Sequence, residues 1–207
     1  MPILEACDVH YAYETHRVLR GVSLALERGK LYAILGPSWC GKTTLLSLLG
    51  GLDSPTQGQI LFDGEDIAQH GLARHRRDHV SFVFQAYNLI DYLTPAENVA
   101  LSGTPHPHPP REQQGQKPQE APRRRATRSG GEPHRVAHAR ALASQAPVIL
   151  ADEPTGNLDA DTAREIAGIL QDSAHGENRC VVVVTHDHAL AKRADVILRL
   201  KRGVVSL

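Results

Sequence analysis

Residues 31–44 read Leu-Tyr-Ala-Ile-Leu-Gly-Pro-Ser-Trp-Cys-Gly-Lys-Thr-Thr. An apolar strand, Leu31–Leu35, runs into a G-x-x-x-x-G-K-T loop, and a helix is expected from Lys42 to about Leu49. Glycines at both ends of such a loop let successive backbone N–H groups converge on the phosphates of a nucleotide. Lys42 can reach β- and γ-phosphates, and the Thr43 hydroxyl can ligate Mg²⁺. The helix aims its positive dipole end at the same anion. The nucleotide-contacting residues read from this stretch are Gly36, Pro37, Ser38, Cys40, Gly41, Lys42, Thr43 and Thr44. Strand, loop and apolar helix in that order make a chance match a poor explanation.

Working outward, short apolar bursts punctuated by Gly21 and Gly29 predict strands near Ile3–Val9 and Val18–Leu26. After Gly50-Gly51 come a Ser54-Pro55 turn, a strand near Gln59–Phe62 and an Asp63-Gly64 turn. A basic helical stretch, about Ile67–Arg77, leads to a strand at Val80–Phe84. Further on, strands are expected at Val148–Ala151, Arg179–Thr185 and Val196–Leu200. A helix is expected near Asp161–Gln171, and a short one follows His186. Runs such as Cys180-Val-Val-Val-Val184, alternating with helices, indicate a parallel sheet covered on both faces. The fold class is α/β.

The chain has 207 residues, enough for one domain with a sizeable core. Lys+Arg and Asp+Glu are 23 each, so no overall field steers the chain toward nucleic acid, and no nucleic-acid partner is expected. Cys7, Cys40 and Cys180 are widely separated and form no metal-binding spacing, which suits a reducing compartment. Cys40 is read as a small residue tolerated in the loop in preference to a reactive thiol. No apolar run approaches the roughly 18 residues that span a bilayer. The first residues lack the basic flank and apolar stretch of a signal peptide. Any membrane role is therefore expected to come through a partner.

A second constellation narrows the chemistry. Val148-Ile-Leu-Ala-Asp-Glu153 is an apolar strand ending in two carboxylates. Asp152 is placed to hold Mg²⁺ beside Thr43, and Glu153 to orient or deprotonate an attacking water. A strand followed by an acidic turn is common by itself; about a hundred residues after a phosphate loop it points to nucleotide hydrolysis. His186 follows a fully apolar strand and so lies at the same sheet edge, where a phosphate contact is the better reading. His188 has no such support and is read as facing solvent.

With these motifs in order, the chain closely resembles the nucleotide-binding subunit of ABC transporters over nearly its whole length. The resemblance makes the loop a Walker A motif and Val148–Glu153 a Walker B motif with a catalytic glutamate. It implies a P-loop core with an N-terminal antiparallel β subdomain. Gln85, ending Val80-Ser-Phe-Val-Phe-Gln, matches the Q-loop glutamine, which in the family senses Mg²⁺ and couples to the membrane subunit. Ser129-Gly130-Gly131-Glu132 matches the signature motif, presented in the family to ATP on the opposite subunit. Gly156-Asn-Leu-Asp159 matches the D-loop, which the resemblance implies brings Asp159 to the nucleotide, and His186 matches the switch histidine. Tyr13 stands where the family places an aromatic on adenine, with Tyr11 as its rival. The run 152–159 is similar to the subgroup serving macrolide and peptide export, lipoprotein release and cell division.

The resemblance thus implies ATP and Mg²⁺ as ligands, with Glu153, His186 and Lys42 catalytic and Thr43, Gln85 and Asp152 at the metal. It further implies a separate membrane permease, a second copy of this chain, and a place on the inner face of the plasma membrane. The alternatives are a degenerate protein with impaired nucleotide binding and a non-transport ATPase of the cell-division type.

Three departures from the family pattern stand out. Trp39 replaces a glycine expected at φ > 0, with a penalty of roughly 1–2 kcal/mol, so ATP binding is expected to be weakened but not abolished. Residues 102–127 hold six prolines where the family carries a helical subdomain, and their only apolar residues are Ala121 and Ala126. No stable helix is expected there. Arg128 precedes Ser129 where an apolar residue is expected, and a reading-frame disturbance between Leu101 and Ser129 would account for both features. Lastly, the chain stops at Leu207, soon after the last strand, a trimming expected to spare the site.

Overall fold

The computed structural model describes residues 1–84, 94–100, 139, 144–156 and 158–206. Gln85, Ser129, Gly130, Gly131 and the segment 102–127 lie outside the described residues. Two sheets carry the fold. The first is antiparallel, in the order β2-β1-β4-β5, from β1 (Pro2–Tyr13), β2 (His16–Glu27), β4 (Gln57–Phe62) and β5 (Glu65–Asp66). The second runs β10-β9-β3-β8-β7-β6 and contains β3 (Lys30–Leu35), β6 (Val80–Val83), β7 (Val148–Asp152), β8 (Cys180–Thr185), β9 (Val196–Lys201) and β10 (Val204–Ser206). All but β10, which pairs antiparallel with β9, are parallel.

Among the described residues the helices with assigned bounds are α1 (Lys42–Leu49), α2 (Ile67–His70), α3 (Leu72–Asp78), α4 (Pro95–Ala100), α5 (Ala160–His175) and α6 (His188–Ala191). The expected stretch 67–77 is two helices, because Gly71 takes φ 92 and turns the chain between them. None of the described helices is long and apolar enough to cross a membrane.

Continuous apolar strands are explained by what covers each face. Val182 and Val184 pack with Tyr32, Ile34, Leu198 and Leu200 against α1 and the antiparallel sheet. Val181 and Val183 point the other way and pack with Leu31, Ile149 and Ala151 against α5. On α5, Ile166, Ala167, Leu170 and Ala174 form the buried stripe, at helical spacing. Asp159 caps this helix, accepting from the N–H groups of Asp161 and Thr162 and from the Thr162 hydroxyl.

Register decides where the chemistry gathers. Leu35 is level with Thr185 on one side and Arg199 on the other, and Asp152 is level with Val184. The segments leaving β3, β7 and β8 therefore emerge side by side at the carboxyl edge, where open α/β sheets bind ligands.

Candidate functional site

The loop 36–41 leaves β3 between β8 and β9, and the glycines at its ends are there for space. A Cβ on Gly36 would meet the Leu200 carbonyl oxygen at 2.3 Å and Cys40 Sγ at 2.7 Å. Gly41 takes φ 100, and a Cβ there would lie 2.8 Å from Val18 Cγ1. Cys40 thus turns in under the loop, against the core, as a small loop residue would. Trp39 takes φ 65, the left-handed conformation expected of the glycine it replaces. Its side chain is 99% exposed, so the indole projects into solvent and leaves the cradle open.

Lys42 opens α1 and folds back over the loop, its Nζ donating to the carbonyls of Gly36 and Pro37, each at 2.9 Å. Pro37, Ser38 and Thr44 complete the loop and first helical turn. Beside Lys42, the Thr43 hydroxyl donates to Asp152 Oδ2 at 2.9 Å. Burial pushes the Asp152 carboxyl above its ordinary range; the Thr43 hydrogen bond and Lys42 oppose that, and Glu153 adds to it. A hydroxyl and a carboxylate meeting here are hard oxygen donors. This set fits Mg²⁺, which takes one or two protein oxygens and completes its shell with water and phosphate.

Glu153 sits where the chain turns sharply off β7. Its φ is 47, a left-handed conformation unusual for a residue with a Cβ, and such strain gathers at functional sites. The turn is held by Glu153 N–H donating to the Val184 carbonyl at 2.8 Å and by Gly156 N–H donating to the Glu153 carbonyl at 3.2 Å. Its carboxylate is aimed at the end of β8. Oε2 accepts from the Thr185 hydroxyl at 3.1 Å, and Oε1 lies 2.8 Å from His186 Nδ1. The Glu153 side chain is 13% exposed and that of His186 is 72% exposed. One end of this pair is therefore fixed in protein and the other faces out.

The structure separates the two tyrosines. Tyr11 is buried, and its hydroxyl donates to Asp53; that hydrogen bond raises the phenol's pKa above its ordinary value. Tyr13 is 57% exposed and meets Tyr11 edge-on, so of the two it has a face free for stacking. Asp159, read as a nucleotide-site residue, has both carboxylate oxygens engaged in capping α5. His188 is exposed, as read from the sequence. A groove of about 340 Å³ flanks the loop and brings Arg199 and Lys201 to the same edge as His186. Thr185 was not singled out from the sequence, although its place next to His186 at the strand end was a usable signal.

Comparison with known proteins agrees with this geometry. A family model described as ABC transporter matches residues 19–156. The ABC transporter ATP-binding protein YclH of Bacillus subtilis is 40% identical, over 98% of this chain and 95% of its own. The lipoprotein-releasing system ATP-binding protein LolD of Colwellia psychrerythraea is 36% identical, over 97% of this chain and 84% of its own. The dimeric structure of MJ0796, an ABC transporter cassette of Methanocaldococcus jannaschii, superposes with a TM-score of 0.82. That match is 33% identical and covers 99% of this chain and 97% of the other.

Proposed function

The chain belongs to the ABC transporter family, and we propose on that premise that it binds and hydrolyses ATP as the cytoplasmic subunit of an exporter. The observation that carries this reading is the Thr43–Asp152 hydrogen bond, which joins the phosphate loop to a strand end 109 residues away. Lys42, now on two loop carbonyls, exchanges them for phosphoryl oxygens of the nucleotide, and Tyr13 stacks on its base. Thr43 and Asp152 hold Mg²⁺, with Gln85 as the further residue the family pattern assigns to it. When bound, the ion neutralises charge on the phosphate oxygens.

Glu153 is held at both oxygens by Thr185 and His186, so its outward lone pairs are aligned to take a proton from water. That water attacks the terminal phosphorus in line, its proton passes to Glu153, and the bond to the bridging oxygen of ADP breaks. His186 then contacts the transferred group from the exposed side. In this proposal Ser129, Gly130 and Gly131 serve the nucleotide of a second copy of the chain, and Asp159 orders the segment between Glu153 and α5. A separate permease receives the conformational work on the inner face of the membrane. The transport relatives support this reading over a degenerate or division-type protein.

Purified chain should bind ATP and release phosphate in the presence of Mg²⁺, and Lys42→Ala should abolish both. Hydrolysis unchanged in Lys42→Ala would refute the site assignment. Co-purification with a membrane permease tests the transport half.

A further inference from the structure

The closure of α1 leaves one carbonyl to another element. The last four C=O groups of a helix have no intrahelical partner. Here the N–H groups of Gly50, Gly51 and Leu52 donate to the carbonyls of Leu46, Leu48 and Ser47, at 2.9–3.0 Å. The Leu49 carbonyl is met instead by His75 Nε2, from α3, at 3.1 Å. Next to it Arg76 reaches the Gly51 carbonyl. The helix that carries Lys42 and Thr43 at one end is therefore fastened to α3 at the other.

His75 is 2% exposed, and its hydrogen placement follows from its partners. A carbonyl only accepts, so Nε2 carries a hydrogen. Nδ1 of His75 faces Nδ1 of His79 at 3.3 Å, and one hydrogen must lie between them. Three states satisfy this: both rings neutral with His79 donating, His79 holding one extra proton and donating, or His75 holding it and donating to His79. A second proton sets two N–H groups head to head and breaks the contact. His79 cannot swing away freely, because its ring is stacked on Phe62 at 4.0 Å, nearly parallel.

The surroundings keep the pair short of protons. Burial holds both rings below the ordinary imidazole value. On α3, Arg76 opposes protonation of His75, and Arg74 opposes that of His79, while Asp78 favours the latter but is paired with Arg74 and Arg77. Asp63, in the turn after β4, favours it. From α2, His70 opposes it and is itself paired with Glu65 of β5.

We propose that His75, backed by His79, is a positioning residue for the nucleotide site. It holds the C-terminal end of α1 and so sets Lys42 and Thr43 at the other end, and a second extra proton on the pair, by forcing the rings apart, draws His75 off the Leu49 carbonyl and weakens nucleotide binding. An eight-residue helix is only about 12 Å long, so a shift at Leu49 is carried to the loop. The proposal rests on the nucleotide reading above.

Titration calorimetry with Mg²⁺–ADP reports binding without catalysis and without a probe in the loop. Wild-type chain is titrated with Mg²⁺–ADP between about pH 8 and about pH 5.5, which brackets the ordinary imidazole value. His75→Gln keeps an N–H for the Leu49 carbonyl but does not titrate. It should bind like wild type at the alkaline end. On acidification wild type should weaken by about threefold to tenfold more than the variant, the range that one hydrogen bond spans. Melting of nucleotide-free protein should show the same difference. Both rings are held low in the fold, so their stabilisation is complete above about pH 6.5 and is lost as pH falls. If His75→Gln folds poorly, His79→Gln provides the comparison and should also flatten the response. Parallel pH curves in a wild type that binds ADP would overturn this inference alone. A wild type that gives no nucleotide response at any pH would overturn the nucleotide reading, and this inference with it.

Discussion

Replacing Trp39 by glycine isolates the one residue of the phosphate loop that breaks its pattern. At φ 65 a bulky L-residue carries a left-handed penalty of roughly 1–2 kcal/mol. Glycine removes it but orders a freer backbone, which costs about 0.5–1 kcal/mol. Taking the middle of each range, the net expectation is a gain of about 0.8 kcal/mol, which raises the melting midpoint of a ~200-residue domain by roughly 2–3 °C. The same strain bounds the effect on binding, because the indole projects into solvent and does not enter the cradle. Glycine should tighten ATP binding by no more than about tenfold, equivalent to about 1.4 kcal/mol. Scanning calorimetry measures the first quantity and titration calorimetry the second. A variant that melts no higher than wild type and binds no tighter would refute the strain argument. A gain of about a hundredfold, beyond what strain supplies, would mean that the indole blocks the cradle.

Other expectations follow from single contacts. A Cβ at residue 50 would lie 2.0 Å from Phe82 Cζ, so Gly50→Ala forces the ring aside. The variant should lose about 1–3 kcal/mol and melt roughly 2–12 °C lower, and an unchanged midpoint would contradict the packing described. Asp152 is held above its ordinary pKa, so its contribution to stability is present at low pH and lost as pH rises through the folded value. Asp152→Asn should therefore melt higher than wild type at neutral pH while hydrolysing less, with the melting difference closing toward about pH 4. A lower midpoint at neutral pH would reverse that sign. Tyr13→Ala should weaken adenine-nucleotide binding by at least about fivefold, the lower end of what base stacking contributes, with little loss of stability. Tyr11→Phe should instead lose stability through the Asp53 hydrogen bond and keep its affinity, and the opposite pattern in titration calorimetry would exchange their roles.

Much of this was legible in the sequence because parallel strands buried on both faces have no polar alternation to hide them. Val181 through Val184 feed two cores by turns, and an unbroken apolar run is the result. Asp152, Glu153 and His186 could be placed at one edge because each follows such a run. Their pairing could not be read, since it depends on β8 lying between β3 and β7. The break at Gly71 was hidden because both flanking segments carry helix-compatible residues, and only the backbone at φ 92 shows the turn. β10 is three residues long and was too short to register. Asp159 also caps α5 with both carboxylate oxygens, a structural role that the D-loop motif does not announce. The contact from His75 to Leu49 joins residues 26 apart through no motif at all.

In the proposed mechanism Glu153 acts on water at a nucleotide held by Lys42, Thr43 and Asp152. Single-turnover hydrolysis and ATP binding, measured together on wild type and Glu153→Gln, test it most directly. Glutamine keeps the shape and can still meet Thr185 and His186, but it cannot take a proton. Glu153→Gln should bind ATP as tightly as wild type while hydrolysis falls by at least about a hundredfold, the lower end of what a general base contributes. Hydrolysis at the wild-type rate in Glu153→Gln would contradict the account.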